Sequence, residues 1–130
     1  MKKVIWVIMV AILLIAFVAI PANAAPNPPT STAIQLTTGH VRGITQTSAE
    51  FYGKLTSLGI HRYAIVYFEY WVDGGLAKIS FDAYMFAPGD YGVLVRDLTP
   101  QTRYNVRATG YGSSGGYYAY GKTITFKTKN

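Results

Sequence analysis

Cysteine is missing from this sequence of 130 residues. Its absence excludes disulfides, thiolate nucleophiles and thiolate metal sites, and leaves the fold to stand on its apolar core. Histidine is scarce: His40 and His61 are the two, with no second ligand at a metal-like spacing, and they read as exposed loop residues. Carboxylates number six, Glu50, Glu69, Asp73, Asp82, Asp90 and Asp97, and none forms a pair facing off one strand. Glycosidase chemistry needs two carboxylates held roughly 5–10 Å apart, and no two are nominated here. Asp73, Asp90 and Asp97 fall in turn-like stretches, where Asp is favoured by its backbone hydrogen bonds. No Ser-His-Asp grouping or nucleophile elbow occurs. "GYGSSGGYYAYG" is glycine-rich but has no lysine and no helix pattern after it, so it is not a phosphate loop. The expectation is a non-catalytic chain with no cofactor and no metal. A basic cluster is also missing: Arg62, Lys78, Arg96, Arg103, Arg107 and Lys122 are scattered, unlike a nucleic-acid footprint.

One long apolar run is present. Lys2 and Lys3 precede an uncharged stretch from Val4 to Ile20, and "PANAA" follows, with Ala22-Asn23-Ala24 as a small-x-small cleavage site. That order predicts a secretory signal peptide over residues 1–24 and a secreted or cell-surface protein. The alternative is retention of residues 4–20 as a membrane anchor, at the lower length limit for a spanning helix. With the cut, Lys2 and Lys3 leave and the net charge falls from +6 to +4. Three prolines in "APNPPTST" then predict an extended linker over 25–33, ahead of a domain over 34–130.

Beyond residue 33 amphipathic helix patterns are absent and period-two alternation is everywhere. "SAEFYGKL" puts Ala49, Phe51, Gly53 and Leu55 on one face. "AIVYFEYW" groups Ala64, Val66, Phe68 and Tyr70 against Ile65, Tyr67, Glu69 and Trp71. "GVLVRDL", "RYNVRATG" and "KTITFKT" alternate likewise, "LAKISF" is a shorter run, and "GHVRGI" reads as an edge strand. Turn signals separate these runs at Ser57–Gly59, Asp73–Gly75, Ala87–Asp90, Thr99-Pro100 and Gly112–Gly116. About seven antiparallel strands in two sheets are predicted, an immunoglobulin-like sandwich.

In such sandwiches a tyrosine at the start of a late strand ties its hydroxyl to the preceding turn. "DLTPQTRYNVRATGYG" supplies the parts: Leu98 as a core plug, Pro100 to stiffen the turn and Tyr104 to tie it. At this point the sequence resembles a fibronectin type III domain of the kind found in secreted prokaryotic proteins. Four pieces carry the resemblance, in order: "ITQTSAEFYGKLTSLG" (44–59), "VYFEYW" (66–71), "LTPQTRYNVRA" (98–108) and "YGKTITFKT" (120–128). It departs at Trp71, where the group often has Gly, and in the aromatic segment after Phe81. The resemblance implies a fold and no activity.

What the chain has in excess is aromatic side chains: eleven Tyr, two Trp and six Phe. Some must reach the surface. Tyr67 and Trp71 fall on the outer face of the third predicted strand, and Tyr111, Tyr117, Tyr118 and Tyr120 flank the last loop. Tyr and Trp suit recognition because they offer contact area and a polar tip at small entropy loss; they also serve as plain strand formers on solvated faces. Two functions follow as expectations. One is an exported binding or adhesion module for a protein or polysaccharide at the cell surface. The other is a self-associating subunit of a surface layer or filament, with "AIQLTTG" as an edge open to a neighbour.

Overall fold

The computed structural model describes residues 32–130, so the expected signal peptide and all but the last two residues of the expected linker lie outside the described residues. The described residues form one compact unit with its own core, which is the condition for folding alone. Among the described residues every regular element is a strand: β1 (Gln35–Arg42), β2 (Ala49–Ser57), β3 (Ala64–Val72), β4 (Lys78–Ile79), β5 (Ala83–Met85), β6 (Gly89–Val95), β7 (Arg103–Gly112), β8 (Ala119–Tyr120) and β9 (Ile124–Lys127).

All pairings are antiparallel. β1, β2 and β6 form a small sheet in that order. β3 and β7 are the centre of the large sheet; β4 and β5 share the outer side of β3, and β8 and β9 share the outer side of β7. The nine segments correspond to seven strands, two of them interrupted. Ser80 breaks the first: its Oγ accepts from the Phe68 N–H at 2.9 Å and its N–H donates to the Phe68 carbonyl at 2.9 Å. Gly121 breaks the second, its N–H donating to the Ala108 carbonyl at 2.8 Å.

The predicted inner faces close on one another. Ala49, Phe51 and Leu55 of β2 meet Ala64, Val66 and Phe68 of β3, with Tyr104, Val106 and Ala108 of β7 and Phe126 of β9. Phe51 is the hub, meeting Phe68, Tyr70 and Phe126 edge-on at 5.7, 5.7 and 5.4 Å between ring centres. Such aromatic pairs contribute about 0.5–1.5 kcal/mol each beyond their area.

The tyrosine corner is in place. Tyr104 is buried, its ring stacked on Phe126 at 5.6 Å, and its hydroxyl accepts from the Thr99 N–H at 2.9 Å. Leu98 is buried ahead of the turn, and its N–H donates to the Thr47 carbonyl. Two non-glycine residues here take positive φ, Asp97 at 60° just before Leu98 and Gln101 at 52° within the turn. The Pro100 carbonyl accepts from the Thr102 hydroxyl at 2.8 Å.

Four details differ from the alternation pattern. β1 begins at Gln35, well before "GHVRGI", because Ile34 and Leu36 are buried in the core. β6 takes up Gly89 and Asp90, which read as a turn, since both pair with β2. "LAKISF" yields only the two residues of β4. His40 lies in β1 and not in a loop, stacked on Tyr52 at 4.9 Å.

Candidate functional site

The outer face of the large sheet is assembled by register. β3 and β7 pair so that Ile65 faces Tyr111, Tyr67 faces Thr109, Glu69 faces Arg107 and Trp71 faces Asn105. β8 sets Tyr120 against Thr109 from the other side. Side chains directly opposite in an antiparallel pair stand about 4.5–5.5 Å apart and interact. Five of the six residues singled out from the sequence, Tyr67, Trp71, Tyr111, Tyr118 and Tyr120, are thereby gathered on one face. Tyr118 meets Tyr111 edge-on at 5.3 Å and stacks with Tyr120 at 6.4 Å. The sixth, Tyr117, stands apart: it is 92% exposed and joins none of the ring contacts.

Arg107 links the two ends of this strip. Its guanidinium lies 4.3 Å from the Tyr120 ring centre and 5.6 Å from that of Trp71, and its Nη2 donates to Glu69 Oε2 at 2.9 Å. A planar cation held between two rings and bound to a carboxylate is fixed in orientation. Tyr118 and Tyr120 remain 54% and 52% exposed, while Thr109 below them is fully buried. Two buried polar atoms on this face, Thr109 Oγ1 and Arg107 Nε, have no hydrogen-bond partner among the described residues.

The electrostatics follow from packing. Tyr67 holds its proton up to about 12, first because it is partly buried and second because the Glu69 carboxylate is near. Tyr70, on the inner side of β3, is also raised, chiefly by burial. The strip therefore presents a protonated Tyr67 and one internally neutralised ion pair. Among the described residues no group of three or more His, Asp or Glu is placed to hold a metal ion.

Arg107, Glu69 and Thr109 were not singled out from the sequence. Alternation already puts them on the outward side of "VYFEYW" and "RYNVRATG", but only the register shows that they lie among the tyrosines. Tyr52, the other outward tyrosine noted, is on the small sheet. Its hydroxyl donates to Glu50 at 2.9 Å, a bond that leads the upward shift of its pKa, and Arg42 lies 5.8 Å from its ring.

The two-sheet order, the corner and the strand pairing define a class: the chain has the fold of a fibronectin type III domain. Solved structures agree. The sensor domain of the anti-sigma factor RsgI4 of Pseudobacteroides cellulosolvens is similar with a TM-score of 0.64 at 23% identity, over 78% of this chain and 98% of that one. The chicken CNTN1 FN1–FN3 domains are similar with a TM-score of 0.56 at 19% identity, over 78% of this chain and 32% of that one. The fibronectin type III domain of human fibronectin type III domain containing protein 3 has a TM-score of 0.52 at 16% identity, over 80% and 93%. At such identities the likeness is one of fold. No protein-family model matches the chain, and no curated protein matches it.

Proposed function

We propose that this chain is an exported, non-catalytic recognition module, and that its contact surface is the tyrosine strip on the outer face of the large sheet. The observation that carries the reading is the grouping of Tyr67, Trp71, Tyr111, Tyr118 and Tyr120 around one oriented Arg107–Glu69 pair. Flat aromatic rings stack on sugar rings and pack on extended protein segments, and the tyrosine hydroxyls add directional hydrogen bonds. The signal-like start of the sequence supports a secreted or surface location. The similarity to a protein described as a sensor domain is in keeping with recognition and not turnover.

The partner is a polysaccharide or a protein at the cell surface. The test is co-sedimentation of residues 31–130 with insoluble cellulose, xylan, chitin and peptidoglycan, and with whole cells. Binding of at least one is expected. Tyr118→Ala with Tyr120→Ala should lower it at least about tenfold, as for contact aromatics at interface centres, with the melting temperature unchanged because both rings are half exposed. Equal binding by the double variant contradicts the proposal. The second reading, a self-associating subunit, is favoured by a different surface.

A further inference from the structure

The β4–β5 side of the sandwich carries large apolar side chains outside the core, of which Tyr84 and Phe86 touch the Tyr63 ring at 5.7 and 5.5 Å. Leu76, Ile79, Phe81, Tyr84 and Phe86 are exposed, from 60% at Tyr84 to 92% at Leu76. Ile79 faces Glu69 towards one end of β3 and Tyr84 faces Ile65 near the other, so they are about 13 Å apart along the edge at ~3.3 Å per residue. Between them and the edge strand β6 runs a groove of about 530 Å³, lined by Tyr70, Ile79, Phe81, Leu94 and Arg96. A large apolar side chain presents roughly 150–250 Å². These five therefore leave on the order of 700 Å² open, close to the ~800 Å² per partner of a stable interface. Ordinary monomers seldom show so large a patch without a use for it.

Charge decides between occupants. On this edge, its connections and β6 stand Asp73, Asp82, Asp90 and Asp97 against Lys78 and Arg96, with Lys54 of β2 directly opposite Asp90. Anionic bilayers attract Lys and Arg, so an excess of acids disfavours a membrane. The opposite edge of the same sheet has the other sign: Lys122, Lys127 and Lys129, with no acid in residues 119–130. There Arg103 and Lys127 are direct partners across β7 and β9, a like-charge pair that costs stability unless an acid comes between. The highly exposed Tyr117 lies on that side too, just before β8, and lysine stems pack on apolar rings. An edge meeting its own copy across a two-fold axis would oppose acid to acid. The β1 edge, which the sequence suggested, is less free: the Thr38 hydroxyl accepts from the Ala108 N–H at 2.9 Å, and Thr37 and Thr38 lie against Gly121, so on the β8–β9 side it is the exposed lysine side chains and Tyr117 that stay open.

We propose that the β4–β5 edge of one copy packs on the β8–β9 edge of a second copy, head to tail. Such a heterologous contact does not close on itself and repeats into a row of domains. The contact shares β8, and so Tyr120, with the recognition strip, and the two readings are separated by their tests: Lys122 and Lys127 for this contact, Tyr118 and Tyr120 for the other.

The experiment is sedimentation velocity of residues 31–130 over a range of concentrations, at low and high salt, with circular dichroism as the fold check. The wild-type protein should self-associate, and salt should weaken it because the charges are exposed. Phe81→Asp with Phe86→Asp, and separately Lys122→Glu with Lys127→Glu, should each raise the apparent dissociation constant at least about tenfold. An equimolar mixture of the two double variants should then form a one-to-one complex and nothing larger, because one good edge of each kind remains. Leu76→Asp repeats the first arm at a position with almost no packing. Wild type that stays monomeric at every concentration overturns the proposal, as does a lysine variant that associates like wild type. So does binding to phosphatidylglycerol vesicles in place of self-association.

Discussion

Two tyrosines show how position sets the role of a phenol. Tyr104 is structural: ring in the core, hydroxyl on the Thr99 N–H. Tyr104→Phe keeps the packing and leaves that N–H unsatisfied, which costs about 1–3 kcal/mol. For a domain of this size that is a fall in melting temperature of at least roughly 4 °C. Thermal unfolding followed by circular dichroism checks it, and an unchanged midpoint would show that the corner is not tied by this bond. Tyr67 is on the outer face and keeps its proton up to about 12. The folded state thus holds a proton that the unfolded chain releases near 10. The resulting stability is complete below pH 10 and is lost as the pH rises toward 12. Unfolding by urea at pH 9 and pH 11 should show a lower midpoint at the higher pH, and Tyr67→Phe should reduce the difference. A midpoint independent of pH in this window, or a difference untouched by the substitution, contradicts the placement of Tyr67.

At the scale of elements, β7 organises the molecule, giving one face to the core and the other to the strip. Gly110 in β7 has no room for a side chain: a Cβ there would lie 2.8 Å from the Ile65 carbonyl oxygen and 3.1 Å from Leu36 and Val66. Gly110→Ala should destabilise by about 1–3 kcal/mol through overpacking, read as a lower denaturation midpoint. Wild-type stability in that variant would mean β3 and β7 are further apart than described here. Arg107 on the same strand lies among Trp71, Tyr120 and Glu69. Arg107→Lys keeps the charge and loses the planar stack, so it should weaken binding nearly as much as Arg107→Ala while leaving the fold intact. Full rescue by lysine would show that only charge matters. Alternation in the sequence is enough to sort inward from outward residues on β2, β3, β6, β7 and β9, because each of these strands buries one face against the same core. It does not carry register, and register is what joins Arg107, Glu69 and Thr109 to the tyrosines. The β4–β5 segment is the least legible part: Leu76, Ile79, Phe81 and Phe86 look like core residues by type and stand on the surface.

For the molecule as a whole, the sandwich core is complete without the aromatic side chains of the outer face or of the β4–β5 edge. Two exposed aromatic surfaces are left over, the strip proposed for recognition and the edge proposed to meet a second copy. The corner motif made the fold readable in the sequence because it combines a plug, a turn and a tie at fixed spacing. The strip was readable only in part, as a surplus of tyrosine without a location. Its use as a recognition surface is tested most directly by oxidative footprinting of residues 31–130, free and bound to the polysaccharide or cells that retain it, read by mass spectrometry. The account predicts protection of Trp71, Tyr118 and Tyr120 on binding, with Tyr52 on the small sheet unchanged. Protection at Tyr52 and none on the strip would contradict it.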